Sequence, residues 1–162
     1  MKLYRNVTPD DAAEICRIYN PYVTDTTVSF EQEPLSVEAM RLRIEEIAKD
    51  CPYIVCEIDG KVAGFCYVHP WKERPAYAGT METTIYLDTR YKHQGIAKEM
   101  MALLIDRCRQ RGYYSLIACI TAENTDSCHF HERLGFKLVS HFKAVGHKFG
   151  RPLDVVDYQL VL

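Results

Sequence analysis

The chain has 162 residues, 48% of them apolar and 26% charged, with a formal net charge of −2. Those values fit one domain with a sizeable core and exclude a basic nucleic-acid coat, and no apolar run approaches the roughly 18 residues of a bilayer-spanning helix. Seven cysteines, an odd number without a Cys-x-x-Cys pair, read as reduced and mostly buried thiols with no zinc-ligand spacing, and the N-terminus lacks the apolar core of a signal peptide, so a cytoplasmic protein without a metal is expected.

Residues 2–7 read as a short strand. Thr8-Pro9-Asp10-Asp11 then has the composition of a helix start: a capping hydroxyl, a proline in the first turn and acids at the positive end of the dipole. Ala12, Ile15, Cys16 and Tyr19 give that helix an apolar stripe, and Asn20-Pro21 is expected to end it. Ser36 caps a second helix running to about Lys49.

Tyr53–Ile58 and Lys61–His69 are strands joined by Asp59-Gly60, a hairpin signal. WKERPAYAG is a loop, and Thr80–Asp88 is an alternating strand. Ile96–Gln110 forms a helix with Ile96, Met100, Leu103, Leu104 and Cys108 inward and Gly112 after its end. Tyr113–Ile120 is a strand, Asn124–Leu134 a helix ending at Gly135, and Phe136–Val145 and Leu153–Val161 are the last strands. No repeat or linker interrupts the series, so residues 1–162 form one unit. Antiparallel strands followed by strand–helix–strand units predict a layered α/β domain (α+β in its segregation) around a central mixed sheet.

Between the fourth strand run and its following helix lies Lys92-His93-Gln94-Gly95-Ile96-Ala97-Lys98. A helix N-terminus offers unpaired N–H groups and about half a positive charge, and glycine lets a phosphate approach the backbone. Alone, the stretch is more often a loop that needs a flexible residue than an anion site. It is neither the dinucleotide fingerprint nor a phosphate loop of the GxxxxGK type.

In its setting the stretch resembles the acyl-CoA signature of the GNAT superfamily of N-acetyltransferases, Q/R-x-x-G-x-G/A. Asn124 and HERLGF (His131–Phe136) resemble the second half of that cofactor region. Further blocks are similar to the phosphinothricin and methionine sulfoximine acetyltransferase-like subfamily: Ile18-Tyr19-Asn20, Thr26–Phe30, Glu33-Pro34, Trp71–Tyr77, Thr80–Leu87 and Val145–Leu160. The chain departs from the pattern at Lys92, where glutamine or arginine is usual, at Pro152 in place of tryptophan, and at Pro75 and Gly79 in the substrate loop.

The resemblance implies a GNAT fold, with a twisted mixed sheet flanked by helices, and acetyl-CoA as acetyl donor. It places the pyrophosphate on the backbone N–H groups of His93–Ala97, with Lys92 and Lys98 adding charge, and the pantetheine along Ile85, Tyr86 and Leu87, where two parallel strands splay. A backbone N–H near Leu87 would polarise the thioester carbonyl, and Asn124 would contact the cofactor, although the residues alone favour a helix cap there and both roles can hold together. The acceptor would be the α-amine of a small amino-acid-like substrate of the phosphinothricin, methionine sulfoximine or methionine sulfone type. An ammonium must lose a proton before it can attack, and Glu82, on one strand face with Thr84 and Tyr86, is the candidate base; the plain alternative is a solvated strand glutamate. His131 is a candidate acid for the leaving thiolate, or a half-buried histidine that fixes its helix.

The implied substrate set is Phe30, Lys72, Glu73, Arg74, Tyr77, Glu82, Thr83 and Thr84, with Lys72 and Arg74 facing an acidic group. Lys148 and Arg151 would serve either the substrate or a subunit contact. The subfamily implies a homodimer joined through C-terminal strands, acting on a small molecule rather than nucleic acid or membrane. A non-catalytic acetyl-CoA sensor and an enzyme for a different small amine are the competing readings.

Overall fold

The computed structural model describes residues 1–162. Seven strands build one sheet: β1 (Lys2–Asn6), β2 (Tyr53–Ile58), β3 (Lys61–Pro70), β4 (Thr80–Leu87), β5 (Ser115–Thr121), β6 (Lys137–Lys148) and β7 (Arg151–Val161). Their spatial order is β1-β2-β3-β4-β5-β7-β6, and β4–β5 is its parallel pair. The remaining neighbours run antiparallel.

Strands β2 and β3 are apolar on both sides because both sheet faces are covered. Ile54, Cys56, Cys66 and Val68 pack with Met100, Met101 and Leu104 of α3 (Ile96–Gln110). Val55 and Phe65 pack with Ile15 and Val23 of α1 (Ala12–Asp25) and Met40 and Ile44 of α2 (Val37–Asp50). A short α4 (Thr125–Arg133) follows β5. The layered mixed sheet matches the expectation. Six of the seven cysteines are buried, and Cys119 is exposed.

The turns obey local chemistry. Asp59 and Gly60 take φ of 50° and 82°, the left-handed pair that suits a two-residue hairpin. Phe149 and Gly150 do the same between β6 and β7 (53° and 73°). Ser36 caps α2 by accepting from Ala39 N at 3.1 Å, as expected.

Two boundaries differ from expectation. Helix α1 runs through Pro21 to Asp25. Proline removes one helical hydrogen bond, but the last turn is anchored from outside: Val23 is fully buried, and Asn20 accepts from Leu35 N at 3.0 Å and donates to Leu35 O at 2.9 Å. Strand β6 extends to Lys148 because it stays paired with β7 up to Lys148 opposite Arg151, and two register shifts, at Leu138/Ser140 and Phe142/Gly146, hide its alternation in the sequence.

Candidate active site

The pairing of β4 with β5 lasts for three residues, Thr80–Glu82 against Ser115–Ile117, and then stops. Beyond Glu82 the strands part, and a cavity of about 500 Å³ fills the gap. Glu82, Thr83, Thr84, Ile85 and Tyr86 of β4 line it, facing Ala118–Thr121 of β5. Asn124, the cap before α4, and Ser127 and His131 of that helix close one side, and Val28–Glu31 of the α1–α2 connection close another.

That connection is strapped down. Thr121 Oγ1 donates to Thr27 O at 2.7 Å, Thr27 bonds Glu123, and Arg151 forks onto Glu123 at 2.7 and 3.0 Å. Lys148, 4% exposed, donates its ammonium to Ser29 O at 2.6 Å. Lys148 and Arg151 thus bind the pocket wall to the β6–β7 hairpin within one chain.

At the far end of β4 the loop is equally fixed. Asp88, 7% exposed, accepts from Arg17 Nη1 at 2.6 Å and Arg90 Nη2 at 2.7 Å, and these guanidiniums hold its carboxyl below the usual range. Tyr22 donates to Leu87 O at 2.6 Å. The loop leads into Gly95, whose φ of 81° is left-handed and whose missing Cβ faces open space. From His93 to Lys98 no backbone N–H donates to a carbonyl of the chain, and the first helical bond is Glu99 N to Gly95 O at 3.1 Å. The result is an open, donor-rich cradle at the start of α3. Lys92 lies 5.7 Å over the Tyr22 ring.

Glu82, Thr84 and Tyr86 share the α1 face, as alternation requires. Tyr86 stands in an aromatic group with Tyr19 (5.0 Å), Tyr22 (5.1 Å) and Phe65 (5.6 Å). Glu82 meets a partner absent from the sequence reading: His69 Nε2 lies 3.2 Å from its Oε2. Asn124 caps α4 through Ser127 N at 3.4 Å and also lines the cavity.

His131 is 3% exposed and bonds Ser127 O through Nδ1 at 2.8 Å. The carbonyl is an acceptor, so Nδ1 carries the proton, and burial pushes the imidazole pKa down. The neutral ring then has an acceptor at Nε2 and no spare proton there.

Of the expected substrate residues, Phe30, Glu82, Thr83 and Thr84 line the cavity. Lys72, Glu73, Arg74 and Tyr77 do not: they are exposed on the loop before β4, with Lys72 over Trp71 at 4.4 Å and Tyr77 edge-on to Trp71 at 5.3 Å. The aromatic clamp turns this loop onto itself rather than into the gap. Tyr19, Ser29, Glu31, Cys119 and Ser127 are lining residues the sequence reading omitted; their contribution depends on where the strands part, which local pattern does not encode.

A family model described as Acetyltransferase (GNAT) domain matches residues 4–156. The chain belongs to the GNAT acetyltransferase family. It is 34% identical to the phosphinothricin N-acetyltransferase of Streptomyces viridochromogenes, over 96% of this chain and 85% of that one. It is 30% identical to the L-methionine sulfoximine/L-methionine sulfone acetyltransferase of Pseudomonas aeruginosa, over 94% and 90%. The solved phosphinothricin acetyltransferase of Sinorhizobium meliloti in complex with acetyl-CoA superposes with a TM-score of 0.95 at 32% identity, covering 99% of this chain and 88% of that one. The GNAT fold foreseen from the cradle and the HERLGF block is therefore the fold of this chain. No helix is long and apolar enough to cross a membrane.

Proposed function

We propose that this GNAT protein transfers acetyl from acetyl-CoA to the α-amine of a small amino-acid-like substrate of the phosphinothricin, methionine sulfoximine or methionine sulfone type. The observation that carries the proposal is the opening of β4 and β5 directly after Glu82, which puts a carboxylate at the mouth of a strand gap, on the strand whose far end runs into the loop before α3. The groups present fit acetyl-CoA: unpaired N–H donors from His93 to Lys98 suit a pyrophosphate, Gly95 leaves room for it, and the unpaired edges along Ile85–Leu87 suit an extended amide chain. When bound, the cofactor supplies an activated acetyl thioester.

The chain's own contribution is positional and electrostatic. Glu82 takes the proton that the ammonium must lose, directly or through one water, and the free amine attacks directly with no acetyl-enzyme. His131, neutral and with Nδ1–H committed to Ser127, supports a role as hydrogen-bond acceptor beside the gap rather than the acid role first expected. Leu87 ends the strand where a backbone donor to the thioester carbonyl would sit, and Asn124 adds a contact at the neighbouring helix start.

The cavity lining contains Glu31 and Glu82 and no cation. A substrate's acidic group is therefore directed outward, toward the loop before β4, where Arg74 makes no ion pair and Lys72 stands over Trp71. Leu138, Val139, Phe142 and Val145 of β6 are half exposed, which supports a second copy docking on the C-terminal hairpin, as the subfamily resemblance implied. Detoxification of glutamine-synthetase inhibitors in the cytoplasm is the biological sense of this chemistry.

The test is a thiol-release assay with acetyl-CoA and a panel of phosphinothricin, methionine sulfoximine, methionine sulfone and ordinary amino acids. Turnover on the first three above the rest supports the proposal. Turnover confined to a different amine overturns the substrate class, and cofactor binding without thiol release on any amine favours a sensor.

A further inference from the structure

His69 stands directly across from Glu82 in the β3–β4 register, on the same sheet face. Its Nε2 lies 3.2 Å from Glu82 Oε2, and its Nδ1 lies 3.0 Å from Pro70 O. Both neighbours are acceptors, so both ring nitrogens must carry protons for both bonds to form. With Glu82 as a carboxylate, the imidazolium is the form of histidine that satisfies both contacts. A neutral ring donating to Pro70 O would turn a lone pair toward the carboxylate. Side-chain exposures of 37% for His69 and 30% for Glu82 leave the pair in reach of solvent but not freely hydrated.

We infer that His69 is a positioning residue for acetyl transfer: its imidazolium holds the Glu82 carboxylate in place at the mouth of the strand gap. The inference rests on the reading of Glu82 as base.

The other groups around the pair leave His69 as its charge partner. Tyr67 lies on the same strand with its ring 6.2 Å from the imidazole, and burial raises its pKa, so it stays neutral. Cys119, exposed to the cavity yet enclosed by its walls, faces Glu82 from β5 with its thiol pushed up to about 12 by that enclosure and the nearby carboxylates, and is neutral as well. Glu31 of the strap and Arg43 of α2 approach through Tyr67 and are paired with each other at 2.6 Å. The hydrogen bond to Glu82 raises the His69 pKa above its ordinary value, against the opposing effect of burial. The pair therefore exists where the carboxylate is ionised and the ring still protonated, and it is lost as pH rises through the raised histidine pKa.

The experiment is a double-mutant cycle with a spectroscopic readout. His69→Ala should lower kcat about fivefold, the rate equivalent of a part-exposed charge pair, with KM for the amine unchanged within about twofold. His69→Gln, which can still donate to the carboxylate, should recover part of that loss. In a Glu82→Gln background His69→Ala should change nothing further. In the intact wild-type protein, imidazole ¹⁵N NMR should show both His69 nitrogens protonated at pH 7, and Glu82→Gln should return the ring to ordinary titration.

Near wild-type activity of Glu82→Gln would overturn the base and this inference together. Loss of activity in Glu82→Gln beside unchanged kcat and pH profile in His69→Ala would overturn the inference alone. If His69→Ala does not fold, the NMR titrations of wild type and Glu82→Gln decide: a neutral His69 ring at pH 7, or identical titration in both proteins, overturns it.

Discussion

The ring of Phe30 lies across Gly146, so closely that a Cβ on the glycine would stand 2.3 Å from Phe30 Cε2. This contact joins the wall of the strand gap to the β6–β7 hairpin, beside the Lys148 bond to Ser29 O. Gly146 does not have a left-handed φ, so alanine there strains no backbone and meets the ring of a half-exposed side chain. Gly146→Ala is expected to move Phe30 rather than unfold the protein. KM for the amine should rise about threefold, and the melting free energy should change by less than about 1 kcal/mol. Steady-state kinetics beside thermal melts check both; an unchanged KM would show that Phe30 is not part of the pocket wall.

Asp88 governs the other end of the site. Asp88→Asn leaves Arg17 and Arg90 without their shared carboxylate and loosens the loop that leads into the cradle. The expected outcome is a loss of about 2 kcal/mol in stability, between the values for surface and buried pairs. KM for acetyl-CoA should rise more than KM for the amine. The sign of the pH effect follows from the depressed carboxyl: its stabilisation is complete above the unfolded pKa of about 4 and is lost as pH falls through the folded value. Wild-type denaturant midpoints should therefore decline below about pH 4 more steeply than those of the variant.

Gly95 has open space at its missing Cβ and a φ of 81°. Gly95→Val places a β-branched residue in left-handed backbone at a cost of about 1–2 kcal/mol and fills the cradle. Coenzyme A affinity measured by calorimetry should fall at least tenfold, well beyond the effect on stability. Wild-type affinity in a folded Gly95→Val protein would place the pyrophosphate elsewhere.

His131→Phe separates acceptor from acid. With Nδ1–H held by Ser127 O and the ring neutral, the variant should lose less than about tenfold in kcat and keep the shape of the pH profile. Disappearance of an alkaline limb in the variant would restore His131 as the proton donor.

Much of this arrangement was legible in the residues. Asp59-Gly60 fixed a hairpin because few residues accept two left-handed positions, whereas Gly95 before an amphipathic run was a weak hint of an anion site that gained weight only from the surrounding family blocks. The alternation of Glu82, Thr84 and Tyr86 placed the carboxylate on the correct face. What escaped depended on neighbours distant in sequence. Pro21 reads as a stop, yet Asn20 and Val23 are held by Leu35 and the core. His69 reads as the end of a strand, and its meaning appears through the register that sets it against Glu82. Lys72 and Arg74 carry the right charge for an acidic substrate, but the Trp71–Tyr77 contact folds their loop outside the gap.

The central claim is that Glu82 takes the amine proton, and the most direct test is the turnover of Glu82→Gln across pH 6–9 with saturating acetyl-CoA and the best amine of the panel. The substitution keeps shape and removes the basic oxygen. A folded variant with kcat at least about a hundredfold below wild type throughout that range is the predicted result. Rates near wild type over pH 6–9 would contradict it.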